Sequence, residues 1–304
     1  MTDGNPLEVN NGLYEGDIVL TPQQEVQMMA RRVVNNNAFW WPRNSKGIVN
    51  VDYRFGDEFV SKTGVKKAIS AWESHTCIRF HELSKPKQSP HLIFVTSNGC
   101  ASNVGRIYFS RSGQKVWLAP GCFSNPGTPI HEIGHALGFN HEQARSDRDD
   151  HVDIVFDNVV PGRERNFQKR NTNNFDVPYD YFSLMHYGSS YFSKNGLSTI
   201  VPKNPLAESL LGNRADFSFW DLKLVNLQYR CTRTGKYIQE LKAPECHKVQ
   251  LVFSEFVLMQ RPDSPVPCLY QGLTLRLQDP PIDSNVFGRM TNLGVSPDRL
   301  IIMS

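Results

Sequence analysis

Apolar residues recur along this chain with two different periods, and the changes of period outline its parts. From Trp41 onward the pattern is that of a folded domain. Ile48 to Phe55 alternates apolar and polar residues, as a half-buried strand does. Val65, Ala68, Ile69 and Trp72 fall at i, i+3, i+4 and i+7, which predicts an amphipathic helix running into Cys77. Leu92–Val95 and Gln114–Leu118 read as short strands, the second an edge strand open to an extended peptide. Thr128 and Pro129 offer an N-cap and a first-turn proline for a helix over the next residues. Strands followed by that helix predict an α+β domain with the helix packed on a mixed sheet. Residues 142–150 are polar and charged, the pattern of a solvated loop, and 161–180 predict long irregular surface structure. Ser218 with Asp221 has the spacing of a capping box, opening a helix that carries Trp220, Leu224, Val225 and Leu227 toward Cys231. Beyond 233, Val249, Leu251 and Phe253 alternate, as do Leu273, Leu275 and Leu277, and Leu300–Ile302 closes the chain, an all-β signature. The expected organisation is a polar segment over 1–32 ending in Arg31-Arg32, a main domain over 33–232, and a small partial β-sandwich over 233–304.

The stretch with the sharpest chemistry is His131-Glu132-Ile133-Gly134-His135-Ala136-Leu137-Gly138-Phe139-Asn140-His141, which reads H-E-x-x-H-x-x-G-x-x-H. His131 and His135 lie one helical turn apart, so both imidazoles leave the same face and can bind one metal ion. Gly138 ends the helix, because a residue without Cβ adopts the left-handed conformation that turns the chain back. The turn brings His141 round as a third ligand. Glu132, beside the first ligand, can reach a water at the metal rather than the metal itself. Three nitrogens with one open position describe a catalytic zinc site, whereas a structural site is closed by a fourth protein ligand.

Composition changes this picture little. The net charge of +3, with Lys and Arg scattered, gives no nucleic-acid footprint, and no apolar run is long enough to span a bilayer. Six cysteines at 77, 100, 122, 231, 246 and 268 form no Cys-x-x-Cys pair. They suit disulfides in a secreted protein better than a cysteine-ligated metal. The polar start, Met1 to Pro6, does not read as a signal peptide, so the expectation is a secreted protein whose signal peptide is not present in this sequence.

The zinc motif continues as His141-Glu142, then Arg145-x-Asp147-Arg148-Asp149. Together with Ser183-Leu184-Met185-His186-Tyr187, Thr76-Cys77-Ile78-Arg79-Phe80 and Asp216-Phe217-Ser218, it resembles the astacin family of zinc metalloendopeptidases, within the metzincins, across residues 33–232. Matrix or reprolysin-type metzincins fit less well, given Glu142 after the third histidine and Tyr187 after the Met-turn.

The resemblance implies a role for each matching residue. His131, His135 and His141 would hold one zinc ion. Glu132 would be general base and acid, and Tyr187 would be an extra metal ligand at rest that swings to stabilise the oxyanion. Met185 would form the Met-turn floor, and Glu142 would receive the new N-terminus after activation. Tyr14-Glu15-Gly16-Asp17 is similar to the family's inhibitory prosegment motif, with Tyr where Phe is usual. Asp17 would then be the zinc ligand of the zymogen. Arg214, before Asp216-Phe217-Ser218, resembles an arginine of the primed-side pocket that would pair with an acidic substrate residue. The family's disulfides would be Cys77–Cys231 and Cys100–Cys122. Residues around Cys268, Tyr270, Gly288-Arg289 and Leu300–Ile302 are similar to a degenerate CUB-like β region suited to protein contacts. The implied function is a secreted endopeptidase made as a zymogen and acting on proteins or peptides. The rival reading is a non-catalytic secreted module that keeps zinc for stability, which would have no use for Glu132 and Tyr187.

Overall fold

The computed structural model describes residues 6–9, 12–29, 39–59, 61–170, 172–231, 238–241, 274–277 and 300–303. The chain divides into two compact units, Met1–Thr232 and Arg233–Ser304. Arg31-Arg32, Cys246, Cys268 and Gly288-Arg289, singled out above, lie outside the described residues.

The first unit is built on a five-stranded sheet made of β1 (Val49–Phe55), β2 (Ile78–Glu82), β3 (Leu92–Thr96), β4 (Cys100–Ser102) and β5 (Gln114–Leu118). Its order is β2-β1-β3-β5-β4, parallel except for β4, which runs antiparallel to β5. Along β1 the side chains of Val49, Val51 and Tyr53 are buried in alternation, so the period-2 pattern reports one covered face. At the N-terminal end of the chain lies α1 (Pro22–Met29), capped reciprocally by Thr21 and Gln24. The parallel step from β1 to β2 requires a crossover, which α2 (Lys62–His75) supplies; it buries Val65, Ala68, Ile69 and Trp72, the four positions of its apolar stripe. Burying Val65 or Ile69 contributes roughly 1.5–3 kcal/mol relative to exposure, and the Ala68 methyl less.

The helix carrying the histidine motif, α3 (Gly127–Ala136), is buried at every position. Ile130, Ile133, Ala136 and Leu137 join the core shared with the sheet and α2. Two tryptophans fasten it through their indole N–H groups: Trp72 donates to the Ile130 carbonyl at 3.1 Å and Trp41 to the Ala136 carbonyl at 2.9 Å. The helix starts at Gly127, so Thr128 lies inside it and is not its cap. No side chain caps it; instead the Gly127 N–H donates to the Arg214 carbonyl at 2.9 Å.

Two further expectations are corrected. The strand Gln114–Leu118 lies inside the sheet between β3 and β4, so the edge on that side belongs to the three-residue β4. Residues 142–150 are no solvated loop: Glu142, Gln143, Ala144, Arg145 and Arg148 are buried, because short 3-10 turns fold them under the metal motif.

A second core gathers Val152, Val159, Phe167, Tyr179, Tyr187, Tyr191, Phe192, Ile200 and Leu211. It includes the antiparallel pair β6 (Val152–Ile154) with β7 (Ile200–Pro202). Helix α4 (Phe219–Gln228) follows, opened by the capping box of Ser218 and Asp221. Bridges Cys77–Cys231 and Cys100–Cys122 span 154 and 22 residues of sequence, and the longer restricts the unfolded chain more.

In the second unit, β8 (Ile238–Leu241), β9 (Thr274–Leu277) and β10 (Leu300–Met303) form an antiparallel sheet in the order β8-β10-β9. None of the described helices is long and apolar enough to cross a membrane.

Candidate metal centre

Helix α3 presents His131 and His135 one turn apart. Gly138, at φ +103°, then reverses the chain while its N–H donates to the His135 carbonyl at 2.8 Å, and His141 returns as the third imidazole. Each ring is oriented by its outer nitrogen. Nδ1 of His131 meets the Leu184 carbonyl, Nδ1 of His135 the Phe139 carbonyl, and Nδ1 of His141 a carboxylate oxygen of Glu15, all at 2.8 Å. Carbonyl and carboxylate oxygens only accept, so these nitrogens carry the protons, and the Nε2 lone pairs point inward.

They point at another acceptor. Asp17 Oδ2 lies 3.2 Å from Nε2 of His131 and of His141, and Oδ1 lies 3.5 Å from Nε2 of His135. The four ligand atoms lie within 4.8 Å of one another, and all four residues are buried. His135 Nε2 and Asp17 Oδ1 have no hydrogen-bond partner. Lone pairs facing a carboxylate in a dry pocket repel unless a cation lies between them. Burial and the Arg214 charge push His131 down to about 4. Burial also opposes charge on His141, but Asp17 and Glu15 outweigh it and lift that group to about 9. The carboxylates of Asp17 and Glu15 thus draw positive charge to the centre, as a proton on His141 when no metal is bound or as a metal ion among the Nε2 atoms. Three imidazoles with one carboxylate suit a zinc ion in both donor type and number.

Glu132 is fully buried and neither of its carboxylate oxygens has a partner. Burial, then the negative charge of Asp17, pushes its carboxyl well above the ordinary range. Tyr187 is fully buried with its ring centroid 4.5 Å from that of His141, and its hydroxyl donates to the Glu15 carbonyl at 2.6 Å. Under the histidines, Met185 lies against Gly134, where an added Cβ would sit 3.0 Å from Sδ.

The turn that holds Met185 is fixed by Asp221, whose carboxylate accepts from Ser183 Oγ at 2.6 Å and from the Leu184 N–H at 2.8 Å. Sequence reading assigned Asp221 only its capping role. Glu142 accepts from Arg145 Nη1 and from the Asp180 N–H, both at 2.9 Å. Burial pushes its carboxyl up to about 8 against the attraction of Arg145.

Arg214 is buried. It donates through Nη1 to the carbonyls of Leu184, His186 and Asn213, and through Nε to both carboxylate oxygens of Glu8, at 2.9 and 2.8 Å. Burial alone would raise the Glu8 carboxyl, but Arg214 holds it below its ordinary value.

Residues 6–21 thus meet the centre at several points. The Ser102 N–H donates to the Asp17 carbonyl at 2.8 Å and the Val19 N–H to the Ser102 carbonyl at 2.9 Å, so the segment pairs with the edge at β4. A tight turn between Tyr14 and Ile18 aims Asp17 inward. Within it Gly16 takes φ +80°, and an added Cβ would come 2.6 Å from the Glu8 carbonyl. Glu15 bonds His141 and also Arg170 Nε at 2.8 Å, while the Arg170 guanidinium lies 4.6 Å from the Tyr14 ring. Glu8, Glu15 and Arg170 escaped sequence reading as site residues. Glu15 lay inside the quoted motif, but Arg170 carried no signal in its polar stretch.

Comparison with known proteins agrees with this geometry. The family model for Astacin, a peptidase family, matches residues 33–230. Embryonic protein UVS.2 of Xenopus laevis is 38% identical over 232 residues, covering 74% of this chain and 42% of the relative. High choriolytic enzyme 1 of Oryzias latipes is 35% identical over 223 residues, covering 72% of this chain and 78% of the relative. The solved structure of that hatching enzyme zinc-protease covers 65% of this chain and 97% of its own, with a TM-score of 0.60 and 35% identity. The chain spans about two fifths of the length of the first curated relatives, 42%, 38% and 41% of each. With the family pattern matched over most of the chain, the fold shared with a solved relative, and the histidines converging on one centre, this protein belongs to the astacin family.

Proposed function

We propose that this chain is the latent form of a secreted zinc-dependent endopeptidase that cleaves peptide bonds in proteins. The observation that carries the reading is the convergence of three inward Nε2 lone pairs on Asp17, an arrangement that a metal ion relieves and that leaves no place for a substrate while Asp17 stays. His131, His135 and His141 would hold the ion. Zinc held there supplies Lewis acidity and an acidified water.

The chain's own groups do the rest. Glu132, buried and free of partners, takes a proton from the attacking water and passes it to the leaving amine. Once Glu15 withdraws, the Tyr187 hydroxyl is released to donate to the developing oxyanion. Arg214 pairs with an acidic side chain following the scissile bond; the Glu8 carboxylate already docked on it supports that preference. The edge at β4, paired with residues 17–19 here, is where an extended substrate backbone would lie. Activation would cut near Arg31-Arg32, and the freed amine would reach Glu142. Residues 233–304 would serve contacts with other proteins.

Glu132→Ala tests the catalytic part. After proteolytic activation the variant should retain one zinc per chain by atomic absorption, while peptide cleavage falls by about 10²–10⁴-fold. Cleavage at the wild-type rate, or wild-type cleavage indifferent to a chelator, would contradict the proposal.

A further inference from the structure

Two guanidinium groups, that of Arg214 buried and that of Arg170 partly so, each lie one shared oxygen or carboxylate away from a different histidine of the centre, and each is met by a carboxylate of residues 6–21. Arg214 shares the Leu184 carbonyl with His131 and faces Glu8. Arg170 shares the Glu15 carboxylate with His141: Arg170 Nε donates to one oxygen and His141 Nδ1 to the other, both at 2.8 Å. Glu15 is fully buried between these donors.

The placement of Arg170 depends only partly on its guest. Its Nη1 donates to Asn140 Oδ1 at 3.0 Å, and its backbone N–H donates to the Ala144 carbonyl at 2.6 Å. Both partners belong to the protease unit. When residues 6–21 leave, these contacts still aim the guanidinium beside the Nδ1–H of His141, and neither donor retains its acceptor. A guanidinium and an imidazole N–H converging on one spot recognise a carboxylate by two charge-assisted or aligned hydrogen bonds.

We propose that Arg170 Nε and His141 Nδ1 form a second carboxylate-binding subsite in the processed protein, separate from that of Arg214, which takes an acidic side chain of the substrate. Glu15 is its built-in occupant, as Glu8 is for Arg214. The proposal deepens the peptidase reading above and rests on it. It extends the substrate class to chains with acidic residues at two positions.

The test has two arms, both using the full chain cleaved near Arg31-Arg32. The first measures binding of a labelled peptide of residues 6–19 by fluorescence anisotropy, and needs no turnover. Glu15→Gln in the peptide should weaken binding to the wild-type protein by about tenfold or more, and to the Arg170→Gln protein by less than about threefold. Equal weakening on both proteins overturns the subsite. Arg170→Lys, which keeps the charge, should recover part of the coupling and exclude simple misfolding.

The second arm moves Glu, against Gln, through every position of a fluorogenic peptide. Wild type should prefer Glu at a position other than the one Arg214 governs. Arg170→Gln should bring that preference close to one, while Arg214→Gln leaves it in place. A preference that survives Arg170→Gln overturns the subsite. Failure of every peptide to show metal-dependent cleavage would instead defeat the peptidase reading, and the binding arm would still decide the subsite.

Discussion

Helix α3 and residues 6–21 meet at the same three histidines, yet they are held by different forces. Every residue of α3 is buried, and its fastening is apolar packing plus indole hydrogen bonds to its own carbonyls. Residues 6–21 are held by backbone pairing at Ser102, by the buried Ile18 and, where they enter the centre, by ions: Glu15 on Arg170 and His141, and Glu8 on Arg214. Packing of the first kind is lost only when the domain unfolds. Ion pairs of the second kind are strong while water is excluded and weaken once it enters. The frame is permanent and the guest is removable.

The largest effect should come from the frame. Trp72→Ala removes a buried indole from between α2 and α3 together with its bond to Ile130. It should cost about 3–5 kcal/mol in unfolding free energy, read from a denaturant midpoint. A loss below about 1 kcal/mol would mean that α3 is not held by packing.

Breaking an ion pair of the guest should act elsewhere. Glu8→Gln leaves the buried Arg214 without its counter-charge and should weaken docking of residues 6–21 by about 2 kcal/mol. Limited proteolysis would read this as faster cutting within the segment, while the unfolding midpoint of the uncleaved protein falls by much less than with Trp72→Ala. A midpoint loss as large as that of Trp72→Ala would erase the distinction between frame and guest.

Acid should loosen the guest in the same sense. Burial opposes ionisation of Glu8 and Glu15, but Arg214 for the first, and Arg170 with His141 for the second, hold both below their ordinary range while docked. At these two carboxyls docking therefore binds fewer protons than release, which decides the acid side of the profile. Docking should be tightest above the ordinary glutamate value of 4.5 and be lost as pH falls through and below it. Proteolytic protection of the segment that weakened instead on raising the pH toward neutrality would contradict these pairings.

At the small end stands a surface pair of the frame, Lys66 with Glu82 at 2.9 Å, both half-exposed. Removing it by Lys66→Ala should change stability by less than about 0.5 kcal/mol, read from the same denaturant midpoint. A larger loss would mean that ion pairs matter here even where water reaches them.

The same contrast explains what the sequence made legible. Strand β1 and helix α2 announce themselves by period because each packs one face on the core. Strands β3 and β5 read only as short apolar stretches, and the histidine helix, buried on all sides, was legible by its ligand motif rather than by period. The three histidines and Glu132 were legible because metal ligation imposes a spacing within eleven residues. The edge position of β4 was not, since three residues carry no period. Nor was Arg170, 155 positions from Glu15: a charged residue in a polar stretch reads the same whether it faces water or a buried partner. Residues 142–150 misled for that reason too, with Arg145 and Arg148 buried among carboxylates and carbonyls.

The central claim is that Asp17 holds a working metal site shut, and the uncleaved chain tests it most directly. Zinc-loaded wild type and Asp17→Ala would be compared on a fluorogenic peptide with residues 31–32 intact and a chelator control. The account predicts silence from the wild type and chelator-sensitive cleavage from Asp17→Ala. Equal activity of the two uncleaved proteins, or silence from both when the cleaved wild type is active, would contradict it.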